Sequence, residues 1–341
     1  MPSAIRTMSA LVFLVGSVSS VLAQDPKAAD HVVKRPAFDL KYYSDTASPG
    51  MVSFRPVAMM KMLPVELTSS APEGLIRIWC QIMGGKATAA KPPTFEQVEE
   101  CTVGMSLHFE VESNGTLKPF FRTSSYLLKT VDPFPWQESV KKWFPHLESV
   151  EYAQGRYHRL VVQQATGSLR LAFWIPDART IVSDTEDNIR QAMTRVQEGK
   201  WFPRQEPWED VHNDLIALWI NGQKVFQGPP EQQDVKTAGE SFVLFTMGIE
   251  ADATRTRLRI NALGTDEKAC AKGVVAVSKL FQASRNAYQF KGAGLKNAEV
   301  AWTQLIDSAR SEPIGKRSRI ITAEAEGNIL TFLTDPYRMK D

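Results

Sequence analysis

Cysteine, histidine and unbalanced charge are all scarce in this 341-residue chain, which has three Cys, five His, and 40 basic against 38 acidic residues. A formal charge of +2 gives no global field, which argues against a sequence built to hold nucleic acid or to coat an anionic bilayer by charge alone. Twenty Gly and twenty Pro, with no repeating tract, exclude collagen-like and low-complexity chains. Beyond residue 23 no apolar run is long enough to span a bilayer, so no transmembrane segment is expected there. Catalytic signatures are also missing: there is no Gly-x-Ser-x-Gly elbow, His-Glu-x-x-His pair, Walker loop or EF-hand loop. Without a CxxC pair or closely spaced His there is no zinc pattern, and no cofactor is expected. What is present, 43% hydrophobic and 23% charged residues, is the composition of a folded chain.

The strongest functional signal is an address. Arg6 precedes an apolar stretch through Leu11, Val12, Phe13, Leu14 and Val15, and Val21 and Ala23 stand where a signal peptidase reads small residues. Polar residues follow at Gln24 and Asp25, so residues 1–23 read as a signal peptide cleaved near Ala23, with export to the periplasm or medium. Outside the cytosol thiols are not kept reduced, and Cys80 and Cys101 then read either as a disulfide across a Gly- and Pro-containing loop or as buried thiols beside Cys270.

Local patterning predicts an α+β protein with two lobes of antiparallel sheet, hairpins and meander, and helices packed on the sheets. Residues 24–47 read as an extended lead-in, 48–199 as a first lobe, 200–210 as an interlobe connection and 211–341 as a second lobe. Met105, Leu107, Phe109 and Val111 alternate with polar residues, a strand signature over 105–112 that Asn114-Gly115 turns back on itself. Pro119 predicts that the return strand lies at an edge or carries a bulge. Breaks at Gln154-Gly155, Thr166-Gly167 and Pro176-Asp177 divide 149–183 into a four-piece meander. Ser183 with Glu186 reads as a capping box opening a helix over 185–198. In the second half, 242–249 and 255–263 read as a hairpin, and Cys270, Val274, Val277, Phe281 and Ser284 mark one face of a following helix.

The Phe54-Arg55-Pro56 step, the strand Pro176-Asp177-Ala178-Arg179-Thr180-Ile181-Val182-Ser183-Asp184 entering a helix, and the cleaved leader resemble certain exported bacterial proteins of unknown function. The resemblance implies a two-lobe architecture and brings no catalytic residue with it.

Candidate chemistry is thin. Ser139-Val140-Lys141-Lys142 fits the SxxK pattern of penicillin-recognising serine enzymes, with Ser183-Asp184-Thr185 and Lys236-Thr237-Ala238-Gly239 as loose echoes of its other fragments. Pro145 ends that helix almost at once, and a solvated helix face is the simpler reading of Ser139. Trp136, Trp143, Trp201 and Trp208 read as packing rather than as a sugar platform. Arg255, Arg257 and Arg259 alternate on one strand, and Arg317 and Arg319 lie on another; if the strands adjoin, they form an anion-binding patch. The overall expectation is a non-catalytic exported protein that binds an anionic envelope component or another exported protein. A hydrolase with an unrecognised site and a carrier of an apolar ligand are the alternatives.

Overall fold

A computed structural model describes residues 35–44, 48–61, 90–111, 117–164, 167–200, 211–225, 233–252, 255–287 and 296–326. The architecture is α+β, its strands are antiparallel, and they do not close into a barrel. Two compact units divide the chain, one of residues 38–106 and 122–204, the other of 1–37, 107–121 and 205–341.

The unit containing residue 38 starts with strand β1 (Gly50–Phe54) and helix α1 (Pro56–Met60), whose first position takes Pro56 because that N–H has no helical partner anyway. Strand β2 (Val98–Val111) pairs antiparallel with β1, with Phe54 opposite Cys101. Then come β3 (Leu117–Thr130), α2 (Trp136–Trp143), β4 (Glu148–Tyr152), β5 (Gly155–Gln164), β6 (Gly167–Asp177), β7 (Thr180–Thr185) and α3 (Glu186–Gln197). The strand order is β1-β2-β3-β7-β6-β5-β4. The predicted meander is therefore β4 to β7, but β3 lies between β2 and β7 and is no edge. The Asn114-Gly115 turn lies outside the described residues.

Both faces of the meander carry a helix. Trp136, Ser139, Val140 and Trp143 recur at i, i+3, i+4 and i+7 and are the buried stripe of α2. Phe144, next in the chain, stacks on Phe173 at 4.8 Å between centroids. Helix α3 buries Ile189, Ala192 and Met193. Its cap is Thr185, whose hydroxyl accepts from Asn188 N at 3.5 Å, and not the expected Ser183, which stays in β7 opposite Tyr126 and Phe173.

The other unit has β8 (Ile216–Asn221), α4 (Gly222–Val225), α5 (Gln233–Ser241), β9 (Phe242–Ala251), β10 (Arg255–Gly264), α6 (Glu267–Ala287), α7 (Lys296–Ser308), β11 (Arg310–Gly315) and β12 (Ser318–Glu326). The order is β11-β12-β10-β9-β8. Leu258, Ile260 and Ala262 are buried on β10, next to buried Ile321, Ala323 and Ala325 of β12, and α6 and α7 pack on these two strands. Cys270, Val274 and Val277 are the buried face of α6, as their spacing predicts.

Gly264 sets how close α6 can start. A Cβ there would lie 2.5 Å from Cys270 Cβ and 2.8 Å from Cys270 N and Cα, atoms fixed in the first turns of α6. Gly264→Ala should therefore cost about 2 to 3 kcal/mol, because the helix backbone has to move. Chemical denaturation checks this, and a cost within about 0.5 kcal/mol of zero would show that α6 slides freely.

Candidate functional site

The sequence singles out the arginines of β10. Strands β10 and β12 do adjoin, with Arg255 opposite Glu326, Arg257 opposite Glu324 and Arg259 opposite Thr322. Arg257 Nε donates to Glu324 Oε1 at 2.8 Å, and Arg259 Nη2 donates to Asp214 Oδ1. Arg35 pairs with Glu250, the β9 partner of Arg257, at 2.5 Å. Arg319 lies opposite Ala262, an odd number of residues from Arg259, so pleat alternation puts it on the other face. There Arg319 Nε donates to Ser311 Oγ at 3.1 Å. Arg317 precedes β12 and is exposed, and its carbonyl accepts from Gly264 N at 2.8 Å. Arg35, Arg257 and Arg259 thus each meet a carboxylate.

Asp214 is only 2% exposed, and burial pushes its carboxyl up to about 6 although Arg259 pulls it down. Gly248 makes room for it, since a Cβ at that position would fall 1.8 Å from Asp214 Oδ2.

An uneven charge balance occurs instead in the other unit, at the start of α3. Asp184 Oδ1 accepts from Thr185 N at 2.6 Å and from Asn188 Nδ2 at 3.0 Å, fixing the first turn. Glu186 suits the positive end of the helix and is buried beneath it. Tyr157 of β5 donates its hydroxyl to Glu186 Oε1 and accepts from Arg190 Nε at 2.9 Å. Arg190 Nη2 and Arg159 Nη1 also reach Glu186 Oε1, at 2.9 and 3.3 Å, and Arg170 Nη1 lies 3.7 Å from Oε2. Burial by itself would raise the Glu186 carboxyl, but the Tyr157 hydroxyl and the three guanidiniums hold it below its ordinary value. Arg159 also binds Glu148, with Nη2 at 2.5 Å. Three guanidiniums therefore share two carboxylates, and the Arg170 side chain is 63% exposed. Alternation along β5 and β6 places Arg159, Val161 and Arg170 on one face, but only the fold brings Glu186 and Arg190 to them.

Beside this cluster, Tyr152, Asp187, Arg190, Gln191, Thr194, Arg195 and Glu198 line an open pocket of about 460 Å³ along α3. We call the cluster and this pocket together the α3 shelf.

The remaining candidates resolve into structure. Ser139 is 5% exposed on the inward stripe of α2, not on a solvated face. Lys142 points outward and donates to Glu138 Oε1 at 2.6 Å. Lys236 lies on α5, a helix where a Lys-Thr-Gly strand would be required. Trp136 and Trp143 are each 1% exposed and belong to the core, while Trp201 and Trp208 fall outside the described residues. His158 is buried between Gln137 Oε1, 2.6 Å from Nε2, and Ser149 Oγ, 3.4 Å from Nδ1; burial, aided by Lys141 and Arg156, lowers its pKa. Cys101 and Cys270 are buried and not bonded to each other. Cys80, and with it the Cys80 to Cys101 pairing, lies outside the described residues. Among the described residues no group of three or more His, Cys, Asp and Glu is placed to hold a metal. No described helix is long and apolar enough to cross a membrane.

No family model matches the chain, and no curated protein matches it. Among solved structures it is similar to TP0453 in three crystal forms. Form III is 9% identical, with 87% of this chain and 98% of that chain covered and a TM-score of 0.39. Form IV is 9% identical over 88% and 96%, with a TM-score of 0.40, and form I is 10% identical over 89% and 99%, with a TM-score of 0.38. At these identities and TM-scores no residue role passes from that protein to this chain.

Proposed function

We propose that the protein is an exported, non-catalytic binding protein that contacts an anionic envelope component through the α3 shelf. Export rests on the leader pattern of residues 1–23. The observation that carries the reading is the charge count at Glu186: Arg159, Arg170 and Arg190 face Glu186 and Glu148, leaving one guanidinium uncompensated, with Arg170 the most exposed of the three. Surplus charge at a surface attracts oppositely charged partners, and ionic strength screens that attraction. The β10 face has a carboxylate for each of Arg35, Arg257 and Arg259, and Glu326 lies opposite Arg255, which makes it the weaker candidate.

Retention on an immobilised sulfated polyanion, followed against salt, tests this. Replacing Arg159 and Arg170 together by Gln should weaken binding about tenfold at low salt and flatten the salt dependence, on the order of 1 kcal/mol, while Arg255→Gln with Arg257→Gln should leave it almost unchanged. If the two double variants behave in the opposite way, contact belongs to β10 and the α3 shelf is structural.

A further inference from the structure

Arg195 lies in the last turn of α3 and lines the 460 Å³ pocket. Its Nη2 donates to the carbonyl of Tyr43, and its Nε is buried without a partner. Burial lowers its pKa. The negative end of the helix compensates only part of a full charge. The residue is half-buried, but a buried N–H without an acceptor is costly, so this guanidinium can take one more acceptor at Nε.

The surroundings indicate which acceptor fits. Arg190, Gln191, Thr194 and Arg195 form one stripe of α3, and Tyr152 closes the pocket from β4 with its hydroxyl 3.3 Å from Thr194 Oγ1. Arg190 covers the Tyr152 ring at 5.3 Å, so the aromatic face is taken and the pocket offers donors rather than a stacking surface. Of the two carboxylates at the rim, Glu198 is paired with Lys200 at 2.8 Å, and Asp187 is exposed. A guanidinium binds an oxyanion in bidentate fashion through neighbouring nitrogens, and Nε is the nitrogen left unused here.

We infer that the α3 pocket is a seat for a single oxyanion group, a phosphate or a carboxylate, with Arg195 as its counter-charge and Arg190, Gln191 and Thr194 as further donors. This rests on the reading of the α3 shelf as an anion-binding surface and narrows it from a charged patch to a seat for one headgroup. Binding requires a small opening at Arg195 Nε, within the range of side-chain rotamer motion.

Thermal unfolding of the full chain in inorganic phosphate, and separately in acetate, tests the seat against NaCl of equal ionic strength. Phosphate, acetate or both should raise the midpoint in a saturable way, and Arg195→Gln should abolish that rise. Arg195→Gln should also keep or raise the midpoint without anion, because it removes a half-buried charge; a purely structural arginine bonded to Tyr43 would give a fall. Polyanion retention should weaken less in Arg195→Gln than in the Arg159 and Arg170 double variant, because the shelf still presents those two arginines. No saturable rise with either anion, or a rise that persists in Arg195→Gln, overturns the seat. Retention still lost in the Arg159 and Arg170 double variant would then leave the shelf reading intact.

Discussion

Arg259→Gln should destabilise the protein by about 2 to 3 kcal/mol at pH 7, because it takes the main counter-charge and a hydrogen bond from a buried carboxylate. Asp214 is 2% exposed and sits over Gly248, where it has little room to turn toward water. Its proton balance has a definite sign. The folded carboxyl titrates at about 6 against 3.8 for a free aspartate side chain, so the native state binds more protons than the unfolded state between these values. The group's contribution to stability is full below about pH 4 and is lost as the pH rises through about 6, costing roughly 3 kcal/mol at neutrality.

Removing Arg259 takes away the main influence that lowers this pKa and moves it further up, while Glu250 still raises it and Arg35 still lowers it. The variant's deficit should therefore be about 1.4 kcal/mol larger at pH 7 than at pH 5, because only the wild-type carboxyl ionises in the unit of pH above 6 and at pH 5 Asp214 is protonated with or without Arg259. Adding Asp214→Asn to the variant should recover most of the loss at pH 7, because the buried charge is gone. Denaturant unfolding at the two pH values decides the matter. An equal deficit at both would mean that Asp214 is not the titrating partner, and the account of this pair would fail.

Elements that depend on near neighbours in sequence were legible. The breaks between β4 and β7, the hairpin of β9 and β10 and the face of α6 all follow from period two, period 3.6 or turn residues. The misses have different causes. Strand β2 begins at Val98, seven residues before its alternation becomes visible, because Glu100, Cys101, Thr102 and Val103 are all buried and a strand covered on both sides does not alternate. Helix α5 has the sequence Gln-Asp-Val-Lys-Thr-Ala-Gly-Glu-Ser, with too few apolar residues to show a stripe.

The candidate site was less legible than the fold. Period two correctly puts Arg255, Arg257 and Arg259 on one face, but the carboxylates that answer Arg257 and Arg259 are 67 and 45 residues away. Sequence gives the side of a strand, not the sign of what crosses to meet it. Glu186 shows the same limit, because it reads as a helix-opening carboxylate when taken alone and as the hub of three arginines once β5, β6 and α3 are assembled.

The second large effect should come from Arg55, the middle residue of the Phe54-Arg55-Pro56 step. Its side chain is 5% exposed, Nη1 donates to Glu100 Oε1 at 2.8 Å, and its guanidinium carbon lies 4.0 Å from the centre of the Phe38 ring. Burial raises the Glu100 carboxyl, while the Asp39 N–H, at 2.9 Å from Oε2, and Arg55 pull it back. Arg55→Met removes the charge partner and keeps an apolar side chain over Phe38, so the loss, about 3 to 5 kcal/mol at pH 7, is mainly that of a stranded carboxylate. Glu100→Gln keeps an acceptor for Asp39 N–H and should cost less, about 1 to 3 kcal/mol. The double variant Arg55→Met with Glu100→Gln should be more stable than Arg55→Met alone, because desolvating a buried pair consumes most of what its attraction returns. A double variant no better than Arg55→Met would mean that Arg55 acts through its contact with Phe38 and not through Glu100. A loss below about 1 kcal/mol in Arg55→Met would place the pair in water-like surroundings, against its burial.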